Sequence, residues 1–155
     1  MMELLLLLAR DAFWSAMPAV GFAMLFNVPP RMLKYCAMGG ALAHSLRTLL
    51  IHYGMPIEWA TLAASTTVGF VCVYWSKRLL APRPVFSVAS IIPMIPGVYA
   101  FKTMIAVVEL NISGVTTELI HHAVTNGLKV LFIVGALSFG LAIPSLVVYR
   151  NRPIV

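Results

Sequence analysis

Five stretches of this chain approach the roughly twenty apolar residues that an α-helix needs to cross the hydrocarbon of a bilayer. They cover about 12–28, 35–51, 57–75, 85–109 and 119–149. Of its 155 residues 61% are hydrophobic and only 10% charged, and the mean hydropathy is +0.93. A soluble domain would carry about a quarter charged residues. The expected fold is therefore all-α, a polytopic integral membrane protein whose residues 1–155 form one transmembrane domain.

The second run is the weakest, because His44 and Arg47 lie inside it. Loop charges decide for keeping it. Arg31 and Lys34 separate runs one and two, and Lys77, Arg78 and Arg83 separate three and four. Arg150 and Arg152 follow run five, while no Lys or Arg separates two from three or four from five. That alternation is what the positive-inside rule asks of five spans with the N-terminus outside and the C-terminus in the cytoplasm. The net charge of +6 is thus read as a topology signal and not as a nucleic-acid footprint. Residues 4–8 resemble a signal-peptide core, but only Glu3 precedes them and no small-x-small site follows, so they are expected to remain as part of the first segment.

The fourth run contains Ser90-Ile91-Ile92-Pro93-Met94-Ile95-Pro96-Gly97. Each proline deletes a backbone donor and clashes with the carbonyl four residues earlier. Gly97 adds access to backbone angles other residues avoid. In hydrocarbon, freed carbonyls survive only where protein or a water-lined cavity satisfies them. A span broken at 93–97 is expected, as transporters use for a midplane binding site. A simple proline kink is the plainer reading; two prolines and a glycine so close together favour the break.

Seven of the eleven basic residues belong to the loops above, leaving Arg10, Arg47, Lys102 and Lys129. His44 lies one helical turn from Arg47 on the same face, and His122, Asn126 and Lys129 share a face of run five. A charge at mid-membrane costs at least about 2.5–3.5 kcal/mol, so it tends to face a cavity or a partner. The candidate substrate pathway is His44, Arg47, Pro93, Pro96, Gly97, Lys102, Asn126 and Lys129. Basic groups without matching acids suit an anion such as a carboxylate, and a half-helix starting at Gly97 would turn its positive end inward. Lys102 and Lys129 lie near the outer surface and could equally snorkel to headgroups. Asp11 reads as an N-cap or an interfacial pair with Arg10, and His121 and His122 as interface anchors. Cys36 and Cys72 match no metal spacing and read as packing residues. No cofactor or metal site and no catalytic motif is expected, so the chain does not read as an enzyme.

Pro-Ala-Val-Gly-Phe-Ala-Met at 18–24, Phe-Asn-Val-Pro at 26–29, Ile-Glu-Trp at 57–59, Ile-Pro-Met-Ile-Pro-Gly at 92–97, Val-Gly-Ala-Leu-Ser at 134–138 and Tyr-Arg at 149–150 together resemble the threonine/serine exporter family. The likeness is to its split members, in which a small membrane subunit works with a larger one. It implies a bacterial inner-membrane protein that exports succinate with a larger, YjjP-like subunit. Fused single-chain relatives export threonine and serine, which leaves those amino acids as an alternative substrate. A scaffold that merely stabilises the larger subunit is a further alternative. Gly40, His44, Arg47, Thr125 and Asn126 resemble parts of the family pattern, and Lys102 and Lys129 rest on charge placement alone.

Overall fold

The computed structural model describes residues 2–149; Met1 and residues 150–155, with the expected loop charges Arg150 and Arg152 and part of the Tyr-Arg motif, lie outside the described residues. The described residues are all-helical: α1 Met2–Leu25, α2 Pro30–His52, α3 Ile57–Leu79, α4 Pro84–Ile91, α5 Gly97–Ser113 and α6 Thr117–Tyr149, with a 3₁₀ turn Ile92–Met94 between α4 and α5. Among the described residues three helices, α1, α3 and α6, are long and apolar enough to cross a membrane, and α4 with its turn joins α5 as a fourth candidate span. The 23-residue α2 is not among them, because five basic or histidine side chains lower its hydropathy.

Most boundaries follow from local chemistry. The first helix begins at Met2, so the leucine run 4–8 extends the first segment, and nothing in it interrupts the helix. Asp11 is therefore an interior residue of α1 and not its cap. That helix ends where Asn27 takes the left-handed conformation (φ 54°) and Val28 N–H reaches back to Ala23 O at 3.0 Å. The pair Asn27–Met24 and Val28–Ala23 is a Schellman closure. Pro30 opens α2 at a position where a missing N–H costs nothing. Gly54, at φ 87°, closes α2 in the same way as Asn27 closes α1, with Met55 N–H on Leu50 O at 3.1 Å. The sixth helix is continuous from Thr117 to Tyr149, with Pro144 inside it.

The chain divides into two compact units, residues up to Met94 with those from Ala136 onward, and Ile95–Gly135. In the first, small residues set the helix spacing. A Cβ on Gly40 would lie 2.5 Å from Ala19 Cβ, and one on Gly39 2.8 Å from Ser90 Cβ, so α2 nearly touches α1 and α4. Gly69 faces Pro144, and Gly140 faces Ser65, whose hydroxyl donates to Ala136 O at 3.2 Å. Lipid offers no hydrophobic drive between helices, and close backbone approach plus such hydrogen bonds replaces it. Tyr35, Trp75 and Phe86 form an edge-to-face cluster that joins α2, α3 and α4. The second unit is a hairpin of α5 and the first half of α6. Gly114 (φ 88°) lies in its turn, and Thr116 Oγ1 accepts from Leu119 N–H at 3.3 Å.

Candidate functional site

The break is built as a local sequence of turns. Pro93 and Pro96 leave the carbonyls of Ala89 and Ile92 without the N–H that a continuous helix would supply. Pro96, at φ −80° and ψ 54°, is the centre of an inverse γ-turn closed by Gly97 N–H on Ile95 O at 2.8 Å. Gly97 is then the first residue of α5, and its φ is not in the left-handed region. The sequence expectation that Gly97 supplies unusual backbone angles is thus corrected: proline and the short 3₁₀ turn make the break. A Cβ at Gly97 would meet nothing within 4 Å.

The interrupted ladder leaves the Met94 carbonyl to find its donor elsewhere, and Arg47 Nη1 of α2 supplies it at 2.8 Å. Arg47 Nη2 also lies 2.7 Å from His44 Nε2. His44 Nδ1 in turn meets Asp11 Oδ2 at 2.7 Å, and the same oxygen accepts from Thr48 Oγ1 at 2.8 Å. One continuous path therefore runs from Thr48 and Asp11 through His44 and Arg47 to the backbone of the break. Residues 44, 47 and 48 share a face of α2 because their spacing is three and four. Asp11 reaches them from α1, which the Gly40–Ala19 contact holds close. The side chains of His44 and Asp11 are 23% and 21% exposed, so the path is sheltered without being sealed.

Hydrogen-bond chemistry fixes the roles. A guanidinium only donates, so His44 Nε2 has to carry the lone pair that receives Arg47. The ring proton then sits on Nδ1 and points at the Asp11 carboxylate. In this arrangement one acid and one guanidinium cancel around a neutral imidazole.

Of the residues expected to form the pathway, His44, Arg47 and Pro93 lie in the first unit beside the Met94 carbonyl, with Pro93 in the turn itself. Pro96 and Gly97 begin the second unit, which also holds Lys102, Asn126 and Lys129. Within it, Lys102 is exposed on α5. Asn126 Nδ2 donates to His122 O at 2.8 Å, a bond within its own helix. Lys129 Nζ lies 5.1 Å from the centre of the Tyr99 ring, a cation–π contact. The residue that sequence reasoning missed is Asp11. An acid well inside a span needs a base, but nothing in the sequence points to His44, 33 residues away, as that base. Among the described residues no group of three or more metal-binding side chains occurs.

Residues 11–147 match the family described as threonine/serine exporter, ThrE. The chain belongs to the threonine/serine exporter family. It is also 48% identical over 151 residues to an uncharacterized protein of Haemophilus influenzae, an alignment that covers 97% of this chain and 51% of that relative. The chain thus spans about half the length of this curated relative. No solved structure matches. As a member of the threonine/serine exporter family the chain is a multi-pass membrane transporter component and not an enzyme. The matched region holds every member of the polar path, from Asp11 to Met94.

Proposed function

We propose that this chain is the small subunit of a bacterial inner-membrane secondary transporter that exports succinate, or a closely similar dicarboxylate, together with a larger, YjjP-like membrane subunit. It crosses the membrane five times with the N-terminus outside, α2 counting as a span because the polar side chains in its interior, His44, Arg47 and Thr48, are hydrogen-bonded within the protein. The observation that carries the reading is Arg47 at the helix break. A guanidinium held beside a break in a membrane span is a carboxylate-binding group in the place where transporters bind substrate. Lys102 and Lys129, cations in or beside spans and outside the loop pattern, favour an anion over a zwitterion. The larger subunit supplies the rest of the site, consistent with a chain about half as long as its relative.

Threonine or serine is the second reading, and Asp11 is what favours it. A zwitterion needs an acid as well as a cation, and Asp11 stands one imidazole away from Arg47. Counterflow in vesicles that contain both subunits separates the two. Succinate exchange without threonine exchange supports the dicarboxylate; the reverse assigns the amino acids, and neither removes the transport reading.

A further inference from the structure

We propose that His44 is the proton-binding site of this transporter, and that its protonation controls the break through Arg47. The proposal rests on the transport reading above and adds the residue through which a proton acts on the break.

A further proton on His44 has one place to go, the Nε2 lone pair that Arg47 now occupies. Its Nδ1–H is spent on Asp11 Oδ2, and its Nε2 lone pair receives Arg47 Nη2, each at 2.7 Å. A proton that arrives at Nε2 turns an acceptor into a donor and sets two cations face to face. The Arg47–His44 hydrogen bond then breaks, while the imidazolium keeps its ion pair with Asp11. Local charge rises by one, from neutral to positive. The same guanidinium holds the Met94 carbonyl, so loss of one of its anchors reaches the break directly. Arg47, which stays protonated throughout, turns the bond it made to His44 toward a carboxylate of substrate. When the proton leaves Nε2 the lone pair returns and Arg47 re-forms its bond. One proton enters and one leaves per cycle, and no other species is consumed.

The surroundings leave few competing groups. From α1, Asp11 faces the ring, and its neighbour Arg10 is exposed. From α2 the facing charge is Arg47. The fourth helix and the 3₁₀ turn contain no charged residue and contribute the Met94 carbonyl. The third helix carries its charges only at its ends, Glu58 in the first turn and Lys77 and Arg78 in the last. Thr48 adds a hydroxyl that donates to the same Asp11 oxygen and holds it in place.

The test is nitrogen NMR of histidine-labelled complex in lipid, with the His44 signals assigned by their loss in His44→Gln. The expected result is a neutral ring protonated at Nδ1 at alkaline pH, and a second proton at Nε2 on acidification together with a change in the Arg47 side-chain signal. A neutral ring protonated at Nε2, or an Arg47 signal indifferent to His44 protonation, overturns the proposal. In vesicles of the same complex, a pH gradient should drive substrate accumulation in wild type, and that accumulation should be lost in His44→Gln. Undiminished gradient-driven accumulation in the variant also overturns it. Absence of any substrate counterflow in wild type would instead remove the transport reading, and the NMR result would stand apart from it.

Discussion

Arg47 donates from α2 to the main-chain carbonyl of Met94 across 2.8 Å, so a side chain takes the place of the backbone donor that the helix break removes. In a continuous helix that carbonyl would accept from the N–H of residue 98. The turn at Pro96 ends the ladder first. Membrane proteins tolerate irregular backbone only where something satisfies it, and here the satisfying group is the Arg47 guanidinium.

Arg47→Ala should therefore cost stability as well as transport. It leaves the Met94 carbonyl and His44 Nε2 short of a donor, and an unsatisfied sheltered polar group costs about 1–3 kcal/mol. Arg47→Lys should restore part of the stability and little of the transport, because a single ammonium lacks the fork that reaches two acceptors at once. Thermal unfolding in detergent beside counterflow of the same variants reads both effects.

Asp11 offers a second, independent cut through the path. Asp11→Ala removes the acceptor shared by His44 and Thr48 and should destabilise the chain by about 1–3 kcal/mol. Asp11→Asn keeps a carbonyl oxygen in that place and should cost clearly less. Equal losses in the two variants, measured by thermal unfolding, would mean that Asp11 does not hold this network.

How much of this was legible in the sequence differs by residue. The break at 93–97 was, because two prolines three apart leave no way to complete a helical ladder. The need of His44 and Arg47 for partners was, because they are polar groups at helical spacing in an apolar run. Asp11 was not: it was weighed against its neighbour Arg10 and the chain start, whereas its partner lies 33 residues away and meets it only because Gly40 lets α1 and α2 close together. Gly97 was misjudged for the opposite reason. Glycine permits left-handed angles without requiring them, and Pro96 had already made the turn.

Glycines should accordingly divide into two classes. Gly40→Val would press a side chain into Ala19 and the Ser15 carbonyl, and overpacking of that kind costs about 1–3 kcal/mol. Gly97→Ala meets open space and a right-handed backbone, so its effect should stay within about 0.5 kcal/mol. Unfolding midpoints of the two variants, compared with Gly21→Ala as a further open position, check the division.

Leu80 is the place where stability can be gained. It caps α3 in the left-handed conformation at φ 50° and ψ 40°, and its side chain is 93% exposed. That conformation costs an ordinary L-residue about 1–2 kcal/mol, and asparagine tolerates it far better. Leu80→Asn should raise the unfolding midpoint and leave transport unchanged.

The most direct test of the central claim is succinate counterflow in vesicles reconstituted with this chain and its larger partner, wild type against Arg47→Ala, with assembly of the complex verified in both. Succinate exchange in wild type that disappears in the variant is the expected result. Exchange that persists undiminished without Arg47, in an assembled complex, would contradict a substrate role for the helix break and favour a scaffold role for the chain.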